Sequence, residues 1–190
     1  MCRLYGFIAN EPTKVDCSLV FAQNALLLQS RADEIGRNHA DGWGIVTYSD
    51  NNPVLIKNTA PAFSDQHFST TAEKIYSKTI IAHVRKATVG TPSVLNTHPF
   101  SWGKFSFAHN GTVTGFERFS DQLAKETACD IQAERLGQTD SEQYFLWLLS
   151  QLRTYGFIDL ARLQFNAGKT EQLAVFLKER VVSLNQRCLS

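Results

Sequence analysis

Met1-Cys2-Arg3-Leu4-Tyr5-Gly6-Phe7 opens the chain, and the reading of Cys2 decides the reading of the rest. Removal of Met1 would expose a residue that carries both a thiol and a free α-amine. The thiolate is the nucleophilic form, and an ordinary cysteine titrates near ~8.5. An α-amine titrates near ~7.7–8.0, so a useful fraction is neutral at pH 7 and can take a proton. Such a residue needs no histidine from elsewhere to activate it. The plainer alternative is a strand cysteine that sits early in the chain, since Arg3 to Ala9 reads as a buried strand.

Beyond that strand, Ser18 to Arg31 carries Leu19, Ala22, Ala25 and Leu26 at helical spacing, with Ser18 placed to cap. Trp43 to Ser49 reads as a strand, Asp50-Asn51-Asn52-Pro53 as a turn, and Val54 to Lys57 as the returning strand. Asp65 to Ser77 is expected to be helical, and Thr79 to Arg85 is an apolar strand ending on an arginine. Lys86 to Phe100, with Gly90, Pro92 and Pro99, is expected to be loop. Lys104 to His109 is a strand, followed by Asn110-Gly111, a strong two-residue hairpin signal. Thr139-Asp140-Ser141-Glu142 is a capping box ahead of Tyr144, Phe145, Leu148 and Leu149. A last helix runs from about Thr170 to Leu184, with Leu173, Phe176, Leu177, Val181 and Leu184 as its apolar stripe. Strands interleaved with helices, without a regular βαβ rhythm, predict an α+β fold.

The 190 residues suffice for one domain with a sizeable core, and 43% hydrophobic content excludes a disordered chain. A net charge of +1 with no basic block argues against nucleic acid as a partner. No segment is apolar for long enough to span a bilayer, so no membrane association is expected. No apolar core follows basic residues at the N-terminus, so no secretory signal is expected and the cytoplasm is the default location. Cys2, Cys17, Cys129 and Cys188 form no C-x-x-C pair, which speaks against a disulfide framework or a zinc site. The five histidines do not fall at H-x-x-x-H or H-E-x-x-H spacing, so no metal is expected. Asn110-Gly111-Thr112 matches a glycosylation sequon, a chance match without a secretory signal.

Five clusters accompany Cys2: His39-Ala40-Asp41-Gly42-Trp43-Gly44, Ala82-His83-Val84-Arg85-Lys86-Ala87-Thr88, Asn96-Thr97-His98-Pro99-Phe100, Ala108-His109-Asn110-Gly111 and Thr139-Asp140-Ser141-Glu142. In this order, behind a Cys2 start, the set resembles the class II glutamine amidotransferases, a branch of the N-terminal-nucleophile hydrolases. It looks most like the stand-alone members, whose relatives include γ-glutamyl peptide hydrolases. The resemblance covers roughly residues 1–150. It implies an αββα sandwich of two antiparallel sheets in a single domain over residues 1–190. The family carries further strands after the helices that follow Thr-Asp-Ser-Glu, and this chain stops soon after them. The expectation is a sandwich incomplete at its C-terminus, whose open edge favours self-association, a homo-oligomer included.

The resemblance assigns roles that the residues can physically fill. Cys2 is the nucleophile. Asn110 and Gly111 supply a side-chain amide and a backbone N–H to an oxyanion hole, where donors stabilise the charge developing on the attacked carbonyl. Arg85 offers a planar fork to the α-carboxylate of a glutamyl group, and otherwise is a strand-end arginine reaching for solvent. Thr88 adds a hydroxyl to the same carboxylate. Asp140 receives the α-ammonium, or alternatively complements the helix dipole behind Thr139. His98 either orders the pocket or makes structural hydrogen bonds. The glycines of Asp41-Gly42-Trp43-Gly44 suggest close backbone approach, a structural task. The implied activity is hydrolysis of the glutamine γ-amide through a thioester on Cys2, with no cofactor, releasing glutamate and ammonia for an acceptor held by a partner protein. A γ-glutamyl peptide hydrolase is the alternative within enzymes. A non-catalytic module that binds glutamine or a partner is the alternative outside them.

Overall fold

Half-buried and exposed side chains alternate from Arg3 to Asn10 in the first strand, β1 (Arg3–Lys14), the period of a strand with one covered face rather than of the buried strand expected there. The computed structural model describes residues 2–32, 36, 38–88, 90–159 and 164–189. Met1 and the side chain of Cys188 lie outside the described residues. Contacts divide the chain into two units, residues 1–111 and 112–190.

In the first unit, β2 (Trp43–Ser49), β3 (Asn52–Asn58) and β4 (Tyr76–Val84) join β1 in an antiparallel sheet of order β1-β4-β2-β3. Register places Arg3 opposite Val84, Val84 opposite Trp43 and Trp43 opposite Asn58, one row across an end of the sheet. The β2–β3 turn falls where expected but is tighter, since Asn52 and Pro53 already pair in β3 opposite Ser49 and Tyr48. Asp50 and Asn51 both take positive φ, 49° and 62°, as a two-residue type I′ hairpin demands.

One face of this sheet is covered by α1 (Leu26–Arg31), by α2 (Gln66–Lys74) and by a π-helical turn at Cys17–Phe21. Leu19, Leu26, Leu27, Phe68 and Ala72 pack there with Trp43, Ile45, Ile80, Ala82 and Val84. Fully burying a side chain such as Phe68 contributes about 1.5–3 kcal/mol. Asp65 ties the layers together. Its carboxylate caps α2 through the His67 N–H at 2.9 Å and accepts the Trp43 indole N–H at 2.8 Å and the Asn58 amide at 2.9 Å.

The opposite face meets the loop before β5 (Phe100–Trp102), which pairs with β6 (Phe105–Phe107) as a ribbon. A Cβ on Gly44 would collide with the His98 carbonyl oxygen. A Cβ on Gly42, whose φ is +112°, would lie 2.7 Å from the Asn58 oxygen. Both glycines of the Asp41-Gly42-Trp43-Gly44 segment therefore permit close backbone approach. The α+β class with antiparallel sheets is observed, and the second sheet of this unit is the two-stranded β5–β6 ribbon.

Two local expectations are corrected. The helix expected over Ser18 to Arg31 is interrupted, because the Ala22 N–H closes a wide turn on the Cys17 carbonyl at 2.8 Å and Ala22 then becomes extended. Asp16, not Ser18, caps that turn, and the turn-forming Gln23-Asn24 precedes α1. The hairpin expected at Asn110-Gly111 lies instead at Gly103-Lys104, between the paired Trp102 and Phe105, with Gly103 at φ 54°. Among the described residues after Gly111, no strand pairs with β6.

In the second unit, α3 (Phe116–Glu126) buries Phe119 and Leu123 and packs on α5 (Asp140–Thr154); α4 (Cys129–Gln132) packs there too. The Thr139 hydroxyl caps α5 at the Glu142 N–H, 3.1 Å, as the capping box predicts. The reciprocal half is absent, since the Glu142 carboxylate accepts the N–H groups of Leu136 and Gly137 at 3.0 and 2.7 Å. Short strands β7 (Ile158–Asp159) and β8 (Gln164–Phe165) precede α6 (Thr170–Leu189). Of the apolar stripe on α6, Phe176 and Leu184 are buried while Val181 is exposed, because the aromatic cover comes from Tyr155 and Phe157 around Phe176. Among the described residues no helix is long and apolar enough to cross a membrane.

Candidate active site

Cys2 stands beside the row formed by Arg3, Val84, Trp43 and Asn58, at the end of the sheet where β4 runs out into Arg85 and Lys86. Its sulfur accepts the Lys86 N–H at 3.2 Å and lies 3.4 Å from the Lys86 carbonyl oxygen, to which the thiol donates. The side chain is half-buried. Burial pushes the thiol pKa up, while the Lys86 N–H, the positive amino terminus of the unprocessed chain and the Arg85 guanidinium favour the thiolate and the Asp41 carboxylate opposes it.

Arg85 is only 3% exposed. Its fork donates to the Gly90 carbonyl at 3.1 Å and the Thr91 carbonyl at 3.4 Å, so the guanidinium is held by the following loop rather than reaching for solvent. Burial lowers its pKa, and Asp41 and Cys2 offset that. Backbone bonds fix where it leaves the sheet. The Arg85 N–H donates to Gly42 at 2.8 Å, and its carbonyl accepts the Asp41 N–H at 3.2 Å. The Asp41 carboxylate in turn accepts the Ala87 N–H at 2.7 Å. Thr88 follows on this loop and is exposed.

His98 is buried against the sheet face, its ring centroid 4.5 Å from that of His83 and 4.5 Å from that of Phe100. Its ring nitrogens make no hydrogen bond, so its contribution here is packing. Burial pulls the His98 pKa to about 2, with His83, His109, Lys57 and Arg85 adding to the effect. The His83 pKa falls to about 3, again through burial first and then Arg85. Both rings are neutral at pH 7. Asn110 is exposed and Gly111 half-buried, just beyond β6 in the same unit as Cys2 and Arg85. A Cβ on Gly111 would sit 2.7 Å from the His109 Nε2, so the glycine leaves that imidazole its place.

Asp140 belongs to the second unit, as the first residue of α5. Its Oδ2 accepts the Val113 N–H at 2.6 Å, and its Oδ1 accepts the N–H and hydroxyl of Ser141 at 2.8 and 3.3 Å. Both oxygens thus have partners inside their own unit. Two contributors went unrecognised in the sequence: the Lys86 peptide that meets the thiol and the Asp41 side chain behind it. The adjacency of Asp41 to Gly42 was the only signal for the second, and a backbone contact leaves no signal at all.

The family model of the class-II glutamine amidotransferases matches residues 1–180. The "Probable glutamine amidotransferase DUG3" of Saccharomyces cerevisiae is 32% identical over 168 residues, 83% of this chain and 47% of that protein. A γ-glutamyl-hercynylcysteine sulfoxide hydrolase of Mycobacterium tuberculosis is 35% identical over 117 residues, 60% of this chain and 50% of that protein. A solved glutamine aminotransferase class-II domain protein from Silicibacter pomeroyi is 34% identical, with a TM-score of 0.49 over 60% of this chain and 49% of that one. The chain spans about half the length of these curated relatives.

Proposed function

The chain belongs to the class-II glutamine amidotransferases, and from that premise we propose that it hydrolyses the γ-amide of glutamine or of a γ-glutamyl compound, with Cys2 as nucleophile. The observation that carries this reading is the Cys2 thiol held against the Lys86 peptide, next to a buried Arg85 at the same end of the sheet. After loss of Met1 the α-amine of Cys2 accepts the thiol proton. The sulfur bonds to the carbonyl carbon of the γ-amide, the carbon–nitrogen bond breaks, and the amide nitrogen departs with that proton as ammonia or an amine. Asn110 and Gly111 donate to the oxyanion. Water then cleaves the γ-glutamyl thioester and releases glutamate. The Arg85 fork takes the α-carboxylate, which requires its loop carbonyl partners to share or yield their N–H donors, and Thr88 adds its hydroxyl. Asp140 takes the α-ammonium. His98, neutral and packed, shapes the pocket rather than moving protons. A single domain over residues 1–190 is part of this reading, and the family match over residues 1–180 supports it. Transfer of ammonia would need an acceptor-binding partner or a further domain.

The Mycobacterium tuberculosis relative favours a second reading, in which the leaving group is the amine of a γ-glutamyl conjugate rather than ammonia. Incubating the protein with glutamine and with a series of γ-glutamyl amides, and measuring released glutamate, tests both. Fastest release from glutamine supports the glutaminase. Fastest release from a conjugate supports the hydrolase. No release from any of them, with glutamine still bound, leaves the non-catalytic module.

A further inference from the structure

We propose that Asp41 is a positioning residue that fixes the Lys86 peptide against the Cys2 sulfur by holding the residues on either side of it. The inference rests on the reading of Cys2 as the reacting group. Lys86 contacts the sulfur with both of its backbone polar groups, at 3.2 Å through N–H and 3.4 Å through the carbonyl. A one-residue clamp of this kind works only if its flanks are fixed, and Asp41 fixes both. Its backbone N–H donates to the Arg85 carbonyl at 3.2 Å, and its carboxylate accepts the Ala87 N–H at 2.7 Å. The second bond is short and charge-assisted, the stronger kind. Gly42 completes the frame by accepting the Arg85 N–H at 2.8 Å.

Asp41 therefore acts on the thiol in two opposed ways. Through Lys86 it maintains an N–H that favours the thiolate. Through its own negative charge it disfavours the thiolate and balances the Arg85 cation. Arg85 and, in the unprocessed chain, the amino terminus are the other charged groups that act on the sulfur, and the Lys86 N–H outweighs the Asp41 charge. Asp41→Asn keeps a side-chain oxygen for the Ala87 N–H and removes the charge. Asp41→Leu removes both at similar volume.

The test is the pH dependence of Cys2 alkylation by iodoacetamide, followed on the N-terminal peptide by mass spectrometry because Cys17 and Cys129 are exposed free thiols that would react as well. The expected order of midpoints is Asp41→Asn below wild type and Asp41→Leu above it. In glutamine hydrolysis Asp41→Leu is expected to lower kcat by about tenfold or more, with KM changed by no more than about twofold, and Asp41→Asn to lower kcat less. Midpoints that move to the same side in both variants, or in neither, overturn the inference. If Asp41→Leu loses its far-ultraviolet dichroism, Asp41→Ala, which also removes the acceptor of the Ala87 N–H, decides in its place: a midpoint above wild type supports the clamp, and one at or below wild type overturns it. Alkylation requires no substrate. The expected midpoint order without glutaminase activity would therefore sustain the role of Asp41 while sinking the substrate reading.

Discussion

Acidification from pH 7 to pH 5 should destabilise the first unit by about 4 kcal/mol through two imidazoles. His83 and His98 sit in the fold with pKa values near 3 and 2, far below the ordinary 6.5. Burial is the main cause. The groups that act on the pair are cations or other imidazoles, namely Arg85, Lys57, His109 and His39, and only the His109 backbone weakly favours a charged His83. For a base whose folded pKa is depressed, stability is present above the unfolded pKa and is lost as pH falls through it. The unfolded chain takes up a proton at each ring below pH 6.5, whereas the native protein takes up neither until about pH 3. Each ring then costs about 1.4 kcal/mol per pH unit, or roughly 2 kcal/mol by pH 5. That is a large share of the ~5–15 kcal/mol typical of a domain. Urea unfolding at pH 7 and pH 5, read by the fluorescence of buried Trp43 in a Trp102→Phe, Trp147→Phe background, measures the loss. His83→Phe and His98→Phe should each remove about half of the pH dependence, whatever they do to stability at pH 7. Equal stability of the wild type at the two pH values would refute the reasoning. So would variants that retain the full acid sensitivity.

Gly44→Ala should destabilise the first unit by about 2 kcal/mol or more, since its Cβ meets the backbone carbonyl of His98, and thermal melting would show it. Asp65→Ala should cost about 2–3 kcal/mol in urea unfolding, because it removes the cap of α2 and leaves the Trp43 indole N–H without its partner. Arg85→Lys should lower kcat/KM for glutamine by about tenfold or more, because a point charge replaces the bidentate fork; unchanged kinetics would return Arg85 to the scaffold.

The elements legible in the sequence are those whose signals are local. Asp50-Asn51 declares its turn through residues that tolerate positive φ, Thr139 declares the start of α5 through its hydroxyl, and the helix expected over Asp65 to Ser77 is found as α2, which stops at Lys74 because Tyr76 and Ser77 already belong to β4. The interruption of the first helix was hidden because Leu19 and Leu26 keep helical spacing across it. Asn110-Gly111 misled because a dipeptide suited to a hairpin does not make one without a strand to return. Helix α3 was missed beyond that supposed hairpin, although Phe116, Phe119 and Leu123 carry its period. At the candidate site, the residue types pointed to Cys2 and Arg85, which the fold brings to one end of the sheet. The Lys86 peptide was illegible, because a backbone group bears no mark in sequence. His98 could be placed only by the three-dimensional contact with His83.

In the proposed mechanism Cys2, once it is the first residue, carries a γ-glutamyl thioester during turnover. Mass spectrometry of the protein purified from cells, before and after mixing with glutamine and acid quenching, tests it directly. The account predicts an N-terminus without Met1, and a γ-glutamyl adduct on the Cys2 peptide that appears with glutamine, is discharged by hydroxylamine and is absent from Cys2→Ala. Undiminished glutamate release by Cys2→Ala, or by protein that retains Met1, would contradict it.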